Sequence, residues 1–279
     1  MSFNSAESRE INEAVRQVLS AGSSAVLVTL VRVSENASIE LRVGSKLLLG
    51  GSAETIGTLG LPILDETAVQ QARDFLASRD EARTIRVEEF APAIVELRGV
   101  VLLFERIEPE PRLIIAGAGH VGASLARLAA LVGYRVTLID DRAEFVKREL
   151  FNSEREQRIE LIAADDWTRA LGDAIDNGRG ASVAIVTRGH KQDEDCLRAA
   201  IAARPDYIGM IGSKRRTNIV LDELREEGAD EGELRKVRAP IGLDVGAVSP
   251  EEVALAILAE IVAERRGGSG APLSSWRRP

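Results

Sequence analysis

The sequence predicts an α/β protein in two parts. A smaller N-terminal α+β domain is expected over residues 1–106, and a parallel sheet with helices on both faces over residues 113–266. Three observations carry this. From residue 113 onward, short apolar runs alternate with helical stretches, the pattern of a doubly wound sheet. Before residue 107, strand-like segments flank a single central helix, which does not build such a sheet. Between them lies Ile107-Glu-Pro-Glu-Pro-Arg112. Each proline there removes a backbone donor and drives its predecessor toward extended geometry, so residues 107–112 read as a short, stiff linker.

In the N-terminal part, Ile11, Val15, Val18 and Leu19 recur at helical spacing and predict an amphipathic helix. Residues 25–33 read as a buried strand, 39–49 as a second strand region and 53–60 as a third. Residues 62–78 are helical, with Val69, Ala72 and Leu76 on one face, and 83–87 and 94–104 return to β composition. The buried faces of this domain make a homodimer the expected assembly.

In the C-terminal part, strands are expected at 113–116, 134–140, 159–163, 182–187 and 207–211, each separated by helical stretches, the first over 121–132. The last helix carries the plainest start signal: Ser249 as N-cap, Pro250 at the first helical position and Glu252 as capping-box partner. Its body, 253–263, is apolar nearly all round and is predicted to be buried. Residues 267–279 are Gly/Ser-rich and read as a flexible tail.

Composition narrows the class. Of 279 residues, 45% are hydrophobic and 29% charged, a balance that supports a soluble core and excludes intrinsic disorder for most of the chain. No apolar run approaches the roughly 20 residues of a membrane span. The N-terminus lacks the basic and apolar regions of a signal peptide, so the cytoplasm is the expected compartment. The one cysteine, Cys196, excludes an internal disulfide and a cysteine-based zinc cluster, and on a predicted helix it reads as structural. With 36 Lys and Arg against 44 Asp and Glu, the net charge of −8 argues against nucleic acid as a partner and leaves room only for local anion sites. The two histidines, His120 and His190, are few candidates for acid–base work; no catalytic set and no metal-ligand set is predicted.

Four segments carry candidate chemistry. Gly117-Ala-Gly119-His-Val-Gly122 follows a strand and opens a helix, which is the context the dinucleotide fingerprint requires and makes the domain Rossmann-like. Gly117 permits the tight turn, Gly119 close approach of a pyrophosphate, and Gly122 close packing of helix on strand, while the helix start offers free amides to an anion. His120 lies in the same loop, facing either a phosphate or solvent. Asp140, roughly 20 residues on, stands where an acid commonly bonds a ribose hydroxyl, and Asp141 beside it would favour NAD over NADP. Glycines kept for packing alone are the competing reading.

Thr187-Arg188-Gly-His190-Lys-Gln-Asp193 lies past a strand at the carboxyl edge of the sheet, where ligands bind in such folds. Arg188 and His190 could hold an anion there, or Asp193 could cap a helix flanked by solvated cations. Gly209-Met-Ile-Gly212-Ser213-Lys214-Arg215-Arg216 places a hydroxyl and three basic residues between strand and helix. It suits either a phosphate or an ordinary capped helix. Pro240-Ile-Gly-Leu-Asp244-Val-Gly246 precedes the last helix as a ligand-facing loop or a tight connection.

Taken together and in this order, these motifs resemble the XdhC/CoxI family, the accessory factors of molybdenum hydroxylases such as xanthine dehydrogenase and carbon monoxide dehydrogenase. The resemblance is specific over the C-terminal half and weaker over the N-terminal half. There the family's cysteine after a glycine pair is absent from Ile56-Gly-Thr-Leu-Gly60-Leu-Pro, as is a second one before the linker. It implies a maturation role: a chaperone that binds molybdenum cofactor (molybdopterin, with a phosphate tail or in dinucleotide form), assists its sulfuration or insertion into the apo-hydroxylase, with a cysteine desulfurase as a further partner. Gly117, Gly119, His120, Gly122, Asp140, Arg188, His190, Gly212, Ser213, Lys214, Arg215 and Asp244 are the cofactor-binding candidates. An NAD(P)-dependent oxidoreductase and a dinucleotide-sensing regulatory module are the alternatives.

Overall fold

A computed structural model describes residues 4–33, 41–50, 54–78, 80–176, 178–212 and 214–274. The chain divides into two compact units, Met1–Pro109 and Glu110–Pro279.

The first unit runs α1 (Asn4–Ser20), β1 (Ala25–Arg32), β2 (Lys46–Gly50), β3 (Thr55–Thr58), α2 (Pro62–Ala77), β4 (Ala82–Arg86), the single turn α3 (Val87–Phe90) and β5 (Val101–Ile107). The strands form an antiparallel sheet in the order β3-β2-β1-β5-β4. Side chains alternate across it with period two. Val26, Val28, Leu30, Leu47 and Leu49 pack with Leu64, Ala68 and Phe75 of α2 on one face, and Ala25 and Leu48 pack with Ile11 and Ala14 of α1 on the other. Burial on both faces explains why β1 and β2 read as continuous apolar runs.

Two strand assignments are corrected here. The second strand is β2 alone, not 39–49: Gly44 adopts φ +93° and the Ser45 amide turns back to the Arg42 carbonyl, so the ladder starts only at Lys46. Residues 39 and 40 lie outside the described residues. In 94–104, the amides of Leu97, Arg98 and Val100 bond three residues back, giving a single helical turn over Val95–Leu97; the strand begins at Val101.

The second unit runs β6 (Arg112–Ala116), α4 (His120–Leu131), β7 (Arg135–Asp140), β8 (Glu160–Ala163), α5 (Trp167–Ile175), β9 (Ala181–Ile185), α6 (His190–Ala203), β10 (Tyr207–Met210), α7 (Lys214–Glu226), α8 (Glu231–Lys236) and α9 (Pro250–Arg266). All its strand pairs are parallel, in the order β10-β9-β6-β7-β8. Leu113 and Ile115 of β6 enter the core shared with α4 and α9, whereas Ile114 and Ala116 enter the core shared with α5, α6 and α7. The chain leaves β6 outward to β7 and β8, then returns to β9 on the other side. The strand order therefore reverses between β6 and β9, the switch point that opens a crevice at the carboxyl ends.

The connection from β7 to β8 is not the predicted helical stretch. It holds three single 3-10 turns, Ala143–Phe145, Arg148–Leu150 and Glu156–Arg158. This run is dominated by charge, and only Phe151 and, at its end, Ile159 are fully buried within it, too little apolar surface to hold an α-helix on the sheet. The capping box of α9 forms as the sequence predicts, with the Glu252 amide donating to Ser249 Oγ at 3.2 Å and the Ser249 amide donating to Glu252 Oε2 at 3.0 Å. Its body is not buried all round: Ala254, Ile257, Leu258 and Ile261 face inward, while Leu255 and Val262 face solvent.

Candidate functional site

The glycine loop joins β6 to α4 at the switch point. Gly117 sits at φ +112°, and a Cβ there would lie 2.6 Å from the Val186 carbonyl oxygen of the neighbouring strand's extension. A Cβ on Gly122 would lie 1.8 Å from the Gly117 carbonyl oxygen. These two glycines are required by packing. Gly119, the N-cap of α4, is different: its φ is −65° and a Cβ would meet nothing within 4 Å. Space is open in front of it, and the amides of Gly119, His120, Val121 and Gly122 have no acceptor among the described residues. The start of α4 therefore presents unsatisfied donors and the positive end of a helix dipole to that space.

A cleft of about 70 Å³ lies there, walled by Gly117, Gly119, Arg142, Trp167, Thr187 and Arg188, with Asp141 on its lining as well. Gln192 closes one side, its amide lying over Gly189. The Thr187 hydroxyl is fixed by a short hydrogen bond to the Asp193 carboxylate, which is wholly buried in the first turns of α6. Asp193 is thus a brace for Thr187; the N-cap of α6 is Gly189.

Asp140 ends β7 as predicted, but its carboxylate is turned inward and is 1% exposed. Oδ2 accepts from the Ala118 amide at 2.6 Å and from Arg142 Nη2 at 3.0 Å. Oδ1 accepts from the Arg142 amide at 3.0 Å and from Arg142 Nε at 2.8 Å. Burial alone would push this carboxyl up, but the Arg142 fork and the two amides outweigh it and hold it below the ordinary carboxylate value. The expected hydrogen bond to a ribose hydroxyl finds no free oxygen: Asp140 is spent on its own chain. Arg142, its guanidinium also 3.8 Å from the centroid of the Phe145 ring, takes its place at the cleft wall. Sequence reading missed this arginine, although an Arg two residues past the strand-ending acid is a signal that could have found it.

Of the predicted site residues, the cleft brings together Gly117, Gly119, Asp140 and Arg188, with Gly122 supporting the loop from behind. His120 and His190 are exposed at the first positions of α4 and α6 and do not line it. Gly212, Arg215 and Asp244 do not line it either. Lys214 begins α7, and Ser213 lies outside the described residues.

The segment around Asp244 is largely architectural. Arg238 pairs with Gly209 as a parallel bridge at the free edge of β10. A Cβ on Gly209 would lie 2.4 Å from Ile241 Cδ1. The Gly242 amide donates to Glu260 Oε2 at 2.5 Å, and the Tyr207 hydroxyl donates to Glu260 Oε1 at 3.0 Å. Burial and this carboxylate push the Tyr207 phenol well up. Glu260 thus ties the loop and the sheet edge to α9, while Asp244 itself is exposed.

Cys196 is fully buried on α6, and burial first, then the nearby Asp193, push its thiol well above the ordinary range. Iodoacetamide at pH 8 is therefore expected to leave the native protein unmodified while alkylating it fully in 8 M urea; modification of the native protein at the unfolded rate would contradict this placement.

A family model described as the XdhC Rossmann domain matches residues 113–261, and one described as the XdhC and CoxI family matches residues 18–88. Similar curated proteins include the uncharacterized protein YqeB of Escherichia coli, 28% identical over 82% of this chain and 42% of that protein. They also include a probable subunit of xanthine dehydrogenase from Bacillus subtilis, 31% identical over 59% of this chain and 46% of that protein. The molybdenum cofactor insertion chaperone PaoD of Escherichia coli is 27% identical over 56% of this chain and 41% of that protein. The matches thus span less than half the length of each of these relatives. A crystal structure described as a xanthine dehydrogenase from Bacillus halodurans superposes with a TM-score of 0.49 at 17% identity, covering 95% of this chain and 98% of that one.

Proposed function

Because the chain belongs to the XdhC and CoxI family, we propose that it is a maturation factor for a molybdenum hydroxylase, binding molybdenum cofactor in the cleft at the start of α4 and delivering it to the apo-enzyme. One observation carries this: at the carboxyl edge of the switch point, open space lies in front of Gly119, where the helix start leaves the amides of residues 119–122 without acceptors among the described residues. Such a site suits the phosphate end of the cofactor. The residues present fit that end. Gly119 permits close approach and offers its amide, the positive end of α4 lies behind it, and Arg142 and Arg188 stand on the cleft wall. When bound, the cofactor would supply the metal and pterin; the chain's own part is to grip the tail and keep it oriented.

The names of two relatives, a cofactor insertion chaperone and a probable subunit of xanthine dehydrogenase, support this reading. On it the partner is the apo-form of a molybdenum hydroxylase. On the same reading a cysteine desulfurase is proposed as the sulfur donor, since Cys196 is sealed in the core and not placed to hand sulfur on.

Gly119→Val tests the site. The added side chain projects into the cleft from an ordinary backbone conformation. It is expected to weaken cofactor binding at least tenfold while lowering stability by no more than about 1 kcal/mol, the cost of a poorer N-cap. Unchanged affinity by equilibrium fluorescence titration would remove the loop from the binding site.

A further inference from the structure

From the same cleft, and resting on the proposed function above, we infer that Arg142 makes this protein selective for cofactor ending in a phosphomonoester, against the dinucleotide form in which that phosphate is joined to a nucleoside. Two independent observations lead there. The first is size. The cleft holds about 70 Å³, whereas pockets that enclose drug-sized ligands run to about 300–1,000 Å³ and one water occupies about 30 Å³. A phosphate group fits inside this space, whereas a ribose and base would have to lie outside it, with no enclosing wall to hold them.

The second is the wall. In the dinucleotide-binding arrangement the acid at the end of the second strand is the group that holds a ribose diol, and an arginine nearby accommodates a phosphomonoester, the 2′-phosphate of NADP. Here Asp140 is consumed by four hydrogen bonds from Ala118 and Arg142, and Arg142 lines the cleft. Its guanidinium is fixed along one edge by Asp140 and on one face by Phe145. Nη1 has no hydrogen-bond acceptor among the described residues. A planar cation held in place with donors to spare is prepared for a phosphate oxygen and loses little freedom on binding it.

The charged side chains on the cleft are Asp140, Asp141, Arg142 and Arg188, two of each sign. Bulk charge therefore does not draw in a polyanion. Attraction is directional, from the start of α4 and Arg142 Nη1, and Asp141 on the same lining opposes a second phosphate.

The test compares the two cofactor forms on the full chain by equilibrium titration, with phenyl phosphate and NAD as cofactor-free competitors. The phosphomonoester form is expected to bind at least tenfold tighter than the dinucleotide form, and phenyl phosphate to compete where equal NAD does not. Since Arg142→Ala alone would leave a buried carboxylate uncompensated, the working variant is the pair Asp140→Asn with Arg142→Gln. That pair should cut affinity for the phosphomonoester form at least tenfold and bring the ratio of the two forms to within about threefold. Arg142→Lys should keep part of the preference. A dinucleotide form bound equally or more tightly by the wild type, or a preference that survives in the paired variant, overturns the inference and leaves the proposed function standing. Binding of neither form by a protein that melts cooperatively overturns both.

Discussion

Gly122→Ala is expected to cost the C-terminal unit about 3 kcal/mol or more, at the upper end of what overpacking does. The new methyl would stand 1.8 Å from the Gly117 carbonyl oxygen and 3.2 Å from Val186 Cγ2. Neither neighbour can yield cheaply. Gly117 is itself held at φ +112° with its amide bonded to the Ile139 carbonyl at 2.8 Å, and Val186 continues β9 with its amide bonded to the Ala116 carbonyl at 2.8 Å. Relief requires α4 to lift from the sheet, which would uncover Leu125, Ala126 and Ala129, all fully buried. The midpoint of urea unfolding, followed by circular dichroism, should fall sharply for Gly122→Ala and little for Gly119→Ala three residues away. Equal behaviour of the two would mean that the loop's glycines are interchangeable, contrary to the geometry.

That contrast marks how far the site was legible from sequence. The glycine spacing and its place between strand and helix gave each glycine a distinct role, and the structure separates them the same way: two are packed against backbone and one faces open space. The alternation after residue 113 was legible because buried parallel strands are short unbroken apolar runs. What escaped was whatever depends on the chain folding back. Asp140 has the position of a ribose ligand, but nothing local says that Arg142 will turn its fork onto it. Asp244 sits in a glycine-rich loop that looks ready for a ligand, yet the loop's anchor is Glu260, in a different element. Apolar residues at 94–97 have strand composition, but they form a tight turn that drops Leu97 into the core. Period and composition report which residues are buried; they do not report which polar group satisfies which.

Arg142→Ala is the second large effect, and its pH dependence identifies its cause. Removing the guanidinium leaves the Asp140 carboxylate 1% exposed with only the Ala118 and Arg142 amides as donors. Breaking one partner of a buried ion pair costs about 3–5 kcal/mol; the partial exposure of Arg142 and the surviving amides place the expected loss near the lower end, at about 3 kcal/mol. In the wild type the Asp140 carboxyl lies below its ordinary value of 3.8. Its ionised form therefore adds stability that is fully present above that value and is lost as pH falls through the folded-state value. In the variant, burial without the arginine raises the carboxyl instead, so the penalty applies above 3.8 and is relieved as the group is protonated. The two proteins should thus differ most at neutral pH and converge as pH falls toward 3.8 and below. Denaturant midpoints measured at pH 7 and at pH 4 would show the gap narrowing. A gap that stays constant between them would mean that Arg142 supports the fold through packing on Phe145, and that the Asp140 pair contributes little.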